Sequence, residues 1–308
     1  EQIGKALMAS GSLSKAPSMD SNTGGSYSAQ GLIPAFVDPQ VVDQSVRETP
    51  LVRMLARRAV RSLKYVFNDL STKAGAAFLP EDASLADQVD TRSTSTVDMK
   101  FLYAVGRITG PAQTGAAAFI NLMAEDIRVK TQSMNEALEN EIINGPNTNG
   151  FTGLISAIST NAVSNGGNEI TLQDIRDDFN DAFETGGASG TGLIDLVVTD
   201  GRTHNYIKGL LFDIQRNVER PSGNMDFGIP DAYMWDGALV IRNRFMPTTP
   251  ASRRILYLDT RFLFLAVLQD TTFFELAKTN DSDKYALKFY GSLVVTAENH
   301  LAQRSALA

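Results

Sequence analysis

The chain has 308 residues, 43% apolar and 20% charged, enough to bury one sizeable core or two smaller ones without global disorder. Its 28 basic and 35 acidic residues give a net charge of −7, which argues against a dedicated nucleic-acid-reading domain, because phosphate binding needs a net basic surface. With no cysteine at all, disulfides, thiolate metal sites and cysteine nucleophiles are excluded, and stability rests on packing and association.

Residues 1 to about 37 are rich in Ser, Gly and Ala, with the run Asp20-Ser21-Asn22-Thr23-Gly24-Gly25-Ser26 and no sustained period. Such a segment cannot bury enough surface to fold alone and reads as an arm. Asp38 before Pro39 is a good helix start, predicting a short helix to about Glu48 that Pro50 interrupts. A second short helix is expected to carry Arg53, Arg57, Arg58 and Arg61, the one dense basic cluster. Two readings of it stand open: ion pairs at a subunit contact, or contact with nucleic acid.

From Ser62 the period changes to two. Leu63, Tyr65 and Phe67 alternate with Ser62, Lys64, Val66 and Asn68, and Val97, Met99, Phe101, Tyr103 and Val105 with Asp98, Lys100, Leu102, Ala104 and Gly106, which predicts two half-buried strands paired as a hairpin over about 62–105. Between them, Asp69 to Thr96 is polar and turn-rich, an unusual length for a structureless connection inside a compact domain, so it is either disordered or ordered by binding. At about 3.3 Å per residue, an arm of roughly 20 residues could reach on the order of 60 Å and leave its own subunit. That geometry points to a shell-building protein rather than a catalyst.

A long amphipathic helix is predicted over about Ala118 to Asn144, its stripe being Ile120, Met123, Ile127, Met134, Leu138 and Ile142, stopped by Asn144-Gly145-Pro146. Thr171 and Asp174 form a capping-box pattern before the stripe Leu172, Ile175, Phe179 and Phe183. Leu193 to Thr199 reads as a buried strand, Arg202 to Arg216 as a helix, and Ala238 to Arg242 as a strand, a mixed α/β block with a loop over 219–237. The remaining strands are Ile255–Leu258, Phe262–Leu268, Phe273–Ala277 and Tyr285–Ala297, the last with Tyr285, Leu287, Phe289, Leu293 and Val295 on one face.

Recognisable chemistry is sparse. Only His204 and His300 exist, and both read as ordinary surface or interface residues. There is no Walker A lysine, HExxH, GxSxG or calcium-loop pattern. The glycines at 186, 187, 190 and 192 follow a helix and precede a strand, the reverse of a dinucleotide loop, and Asp174, Asp177, Asp178 and Asp181 read as a solvated helix face. No cofactor and no metal is expected. No run of about 18 apolar residues and no signal pattern is seen, so neither membrane insertion nor secretion is indicated.

The order of these elements, with "ALENEIINGPNTNGFTGLI" (Ala137 to Ile155) and "KYALKFYGSLVVTAENHLAQRSAL" (Lys284 to Leu307, including Phe289-Tyr290-Gly291), resembles tailed-virus major capsid proteins of the Hong Kong 97-like fold, an α+β architecture. The resemblance implies an N-terminal arm (1–48), a short helix into the P-domain (49–61), an extended E-loop (62–105), the spine helix of the P-domain (106–150), an A-domain (151–260), P-domain strands (261–298) and a C-terminal strand returning to the A-domain (299–308). It implies E-loop contacts between subunits, here through Lys73, Pro80, Glu81, Asp82 and Arg92. It further implies homo-hexamers and homo-pentamers in an icosahedral virion shell around double-stranded DNA, held by weak non-specific contact, with scaffold, maturation protease, portal and decoration proteins as partners. A start at Glu1 would suit a removed N-terminal region, and Lys73 would be the lysine for the covalent crosslinks some members form. Two rivals are an encapsulin-type compartment of the same fold and an α/β hydrolase or transferase with a carboxylate pair.

Overall fold

The pattern of strand alternation and helical stripes resolves into three sheets around one long helix. The computed structural model describes residues 47–81, 87, 89–116, 121–146, 148–185, 193–212, 233–278 and 280–308. The arm to residue 46 with the helix start at Asp38-Pro39, together with Asp82, Ile120, the glycines at 186–192 and residues 219–232 of the loop over 219–237, lies outside them.

The chain is described from Arg47 and forms a short helix α1 (Pro50–Met54) and strand β1 (Ala56–Ala59). Arg57 and Arg58 therefore sit on a strand, correcting the expected helix. The cause is tertiary: β1 pairs in parallel with a strand some 200 residues away, Arg57 opposite Leu265 and Arg58 opposite Ala266. A two-stranded ribbon follows, β2 (Lys64–Thr72) antiparallel to β3 (Thr91–Asp98), with Lys64 opposite Asp98. The hairpin thus closes within 64–98, and the Thr91–Thr96 run is strand rather than connection. Phe101, Tyr103 and Val105 belong instead to β4 (Lys100–Thr109), which leaves the ribbon at Met99 and joins another sheet. Nine residues of β2 span about 30 Å, half the reach expected from sequence.

After α2 (Gly110–Ala116), the spine helix α3 (Leu122–Asn144) begins where the Asn121 side chain accepts the Ala124 amide at 3.2 Å. Its 23 residues extend about 35 Å. Met134, Leu138 and Ile142 are buried, and Met123 and Ile127 pack beside them, as their spacing requires. The helix stops at Gly145, where the chain doubles back so closely that the Gly153 amide donates to the Gly145 carbonyl at 3.0 Å. A Cβ on either glycine would strike the other's backbone, so this turn admits no side chain.

Next come α4 (Leu154–Ala157), β5 (Ala162–Ser164) and α5 (Leu172–Thr185), the last opened by the expected box: the Thr171 amide donates to Asp174 at 2.8 Å, and the Asp174 amide to the Thr171 hydroxyl at 3.2 Å. Then follow β6 (Leu196–Thr199), α6 (Gly201–Phe212), β7 (Tyr233–Trp235), β8 (Ala238–Arg242), β9 (Arg253–Leu258), β10 (Leu263–Leu276), β11 (Ser282–Val295) and β12 (Ala302–Leu307). The runs at Phe262 and Phe273 are one strand, β10, with irregular pairing between Val267 and Thr272 where sequence suggested a break.

One sheet has the order β1-β10-β11-β4, and the other β5-β12-β9-β6-β8-β7. β6 and β8 are parallel across α6, and β6 is buried on both faces, which accounts for its continuous apolar run. The main core runs beneath both sheets: Leu138 and Ile142 of α3 share it with Leu196 and Leu256 of one sheet and Leu265 and Leu287 of the other. Truncating either α3 residue to Ala is expected to cost about 2–5 kcal/mol.

Candidate assembly interface

Among the described residues the ribbon packs on the body at its base. Tyr65, Phe67 and Val97 pack on Phe264, Ala266 and Val294 of the four-stranded sheet, with the Tyr65 and Phe264 rings edge to face at 5.5 Å. On the other face of β2, Val66 and Leu70 are exposed, and so are Phe78, Leu79 and Val89 in the segment joining the strands. Lys73, Pro80, Glu81 and Arg92 are all exposed there, Arg92 lying 3.7 Å from Asp90. An open cleft of about 1020 Å³ separates ribbon from body, with Asn68, Lys73 and Thr96 on one wall and Phe151, Phe262 and His300 on the other.

A second exposed surface was not foreseen. On β4, Leu102 and Ala104 turn toward α3 while Phe101, Tyr103 and Val105 face solvent. The register sets Phe101 opposite Tyr290 and Tyr103 opposite Lys288. The rings of Phe101 and Tyr290 meet edge to face at 4.9 Å, the Tyr103 hydroxyl lies 3.1 Å from that of Tyr290, and the Lys288 amine sits 5.2 Å over Phe274. That mutual hydroxyl contact raises the Tyr103 pKa above its ordinary value. The outcome is an aromatic sheet face with a cation at its centre, which individual strand patterns do reveal but whose solvent side only the pairing decides.

The basic cluster is divided. Arg57 pairs with Asp270 at 3.1 Å, and the Arg58 guanidinium lies 4.0 Å over the Phe264 ring, so both have partners within the subunit. Arg53 and Arg61 are exposed.

The residues read as surface groups behave differently. His204 is wholly buried beside Tyr233, their rings 4.9 Å apart, and His300 is buried and stacked on Phe262 at 4.2 Å. Desolvation lowers the His300 pKa. Asp178 is also buried, not solvated: Arg304, itself 5% exposed, donates to it at 2.7 and 2.8 Å and reaches Asp174 at 3.2 Å. Among the described residues no group of three His, Asp or Glu side chains is placed to hold a metal ion.

A sheet clamped on a spine helix, a second mixed sheet sharing its core, and a ribbon projecting past both define the Hong Kong 97-like class of shell protein. Solved structures of this fold include the capsid of a native GTA particle (TM-score 0.72, 12% identity, 96% of this chain and 100% of that one) and Mycobacterium phage Bobi (0.68, 12%, 91% and 97%). The holo-SrpI encapsulin complex of Synechococcus elongatus PCC 7942 is similar too (0.69, 16%, 91% and 94%). At these identities the likeness is one of fold. No curated protein matches the sequence. The model of the SU10 major capsid protein family matches residues 21–306, and the chain belongs to that family. It is a structural subunit of a virion capsid, and of the two shell readings the viral one holds.

Proposed function

We propose that this capsid protein assembles into hexamers and pentamers of an icosahedral head enclosing double-stranded DNA, with its ribbon laid across a neighbouring copy. The observation that carries this reading is the ribbon itself, anchored at Tyr65 and Val97 yet presenting Phe78, Leu79 and Val89 to solvent. An aromatic ring left in water forgoes roughly 1.5–3 kcal/mol of burial, which a neighbour would recover. The aromatic face around Tyr103 and Tyr290 is the surface of matching character to receive it. Each contact is modest, and its repetition around closed rings sums to a stable shell.

In this reading the ribbon and its tip are the E-loop, the four-stranded sheet with α3 is the P-domain, and the six-stranded sheet is the A-domain. Contact with DNA is weak and non-specific, in keeping with a charge of −7. The internal partners of Arg57 and Arg58 favour an ion-pairing role for them and leave Arg53 and Arg61 as the cations for any nucleic-acid contact. Scaffold, maturation protease, portal and decoration proteins complete the proposed partners. Deleting Lys73 to Val89 tests the reading: the subunit should remain soluble and folded but assemble poorly by electron microscopy. Normal particles from that deletion would overturn it.

A further inference from the structure

We propose that Glu139 is a proton-sensitive latch that sets how firmly the Thr49–Leu55 segment is held against the spine helix and the loop after β8. Its side chain is 0% exposed and joins three parts of the chain. Oε1 accepts the Leu51 amide at 2.9 Å and the Asn243 side-chain amide at 2.5 Å, while Oε2 accepts the Val52 amide at 2.8 Å. Asn243 in turn accepts the Phe245 amide at 2.9 Å, and the Phe245 carbonyl accepts from Asn144 at the end of α3 at 2.7 Å. One carboxyl group therefore terminates a network linking α1, α3 and the six-stranded sheet.

The surroundings make this carboxyl's charge costly. Arg53 of α1, a cation that attracts it, is exposed, and its pull is the weakest of the influences on this carboxyl. On its own helix, Glu136 is occupied by the Arg47 amide at 3.1 Å and Asn140 is neutral. From β8 and its loop it meets the neutral Asn243, whose flanking Arg242 and Arg244 are exposed. Full burial strips this carboxylate of its hydration, and its hydrogen-bond partners, all neutral donors, return only part of that loss. Burial accordingly pushes the Glu139 pKa up to about 7, against the opposing pull of its three hydrogen bonds.

The direction of the effect follows from linkage. With the segment undocked, Glu139 meets water and titrates near the ordinary Glu value of about 4.3. The docked form therefore binds the proton more tightly, so acid favours docking and rising pH favours release. Undocking should increase about tenfold per pH unit between roughly 5 and 7, then level off as the docked carboxyl also ionises.

Hydrogen exchange of the Leu51–Leu55 amides in the full-length chain, corrected for the intrinsic pH dependence of exchange, measures this. Protection should fall by at least about tenfold between pH 5.5 and 7 in the wild type. In Glu139→Gln, which keeps size and one acceptor oxygen but cannot ionise, it should be flat. A flat wild-type profile, or an equal slope in the variant, overturns the proposal. Should Glu139→Gln fail to fold, a carboxyl 13C titration of the wild type decides instead: a Glu139 midpoint near 7 supports the latch and one near 4.5 overturns it. These readouts concern the folded chain itself and stand apart from shell assembly.

Discussion

The hydroxyl of Tyr285 on β11 donates to Asp126 on the spine helix at 2.7 Å, across the place where β4 carries Gly106. Tyr285 and Gly106 are register partners, and a Cβ on Gly106 would come within 2.5 Å of the tyrosine ring. The missing side chain thus lets the ring lie over β4 and reach the helix. Desolvation and the nearby carboxylate hold the Tyr285 pKa well above its usual value, so it remains a donor throughout the physiological range. Tyr285→Phe should cost about 1 kcal/mol by loss of that bond. Gly106→Ala should cost about 1–3 kcal/mol by displacing the ring. Urea unfolding of the unassembled subunit compares the two, and a costlier Tyr285→Phe would mean that the bond matters more than the packing.

Much of this arrangement was legible in the residues because it is periodic. The α3 stripe and the β11 face need only local spacing to be read, as does the stop at Gly145. What could not be read depends on partners far along the chain. Alternation runs through Met99 without a turn signal, so nothing local marks where the ribbon ends and β4 begins. Arg57 and Arg58 become strand residues only by pairing with 265 and 266. Asp178 looks like one more acid on a polar helix until Arg304 arrives from β12 to bury it. Glu139 carried a fainter signal: adjacent to Leu138 and three residues before Ile142, it stands on the flank of the buried stripe.

The Arg304 cluster offers a sharp test of the six-stranded sheet. Arg304 is tied to Asp178, Asp174 and Asn165, with Asn165 accepting at 3.1 Å. Arg304→Leu would leave the Asp178 carboxylate buried without its counter-charge, at an expected cost of about 3–5 kcal/mol. Adding Asp178→Asn should recover part of that loss, because the uncompensated charge goes with it. Denaturant midpoints of the single and double variants check this, and a double variant less stable than Arg304→Leu alone would refute the charge argument.

Within the basic cluster, ion-pairing and nucleic-acid roles make opposite forecasts. Arg57 and Asp270 are exposed enough that Arg57→Ala should cost at most about 1 kcal/mol. Among the described residues neither side chain makes a hydrogen bond or ion pair, so reversing Arg53 and Arg61 to Glu should move thermal unfolding only slightly, chiefly through the lost attraction of Arg53 for Glu139. If the two exposed arginines face DNA, particles of Arg53→Glu/Arg61→Glu would show lower nucleic-acid content or a weaker salt dependence of its release. Unchanged content with impaired assembly would place them at a subunit contact instead.

Phe78 is where stability and assembly should separate most cleanly. Its ring is fully exposed and touches no core cluster, so Phe78→Ser should change the unfolding free energy of the isolated subunit by less than about 0.5 kcal/mol. If the ring is buried on a neighbouring copy, the same substitution forfeits about 1.5–3 kcal/mol at every repeated contact. Even one such contact per subunit raises the concentration needed for assembly by roughly tenfold or more, since about 1.4 kcal/mol corresponds to a factor of ten. Light scattering across a concentration series measures that threshold, and Tyr103→Ser on the proposed receiving face should shift it in the same direction. If the two act on one contact, the double variant should shift it by less than the sum of the single effects. Fully additive shifts would place Phe78 and Tyr103 in different interfaces.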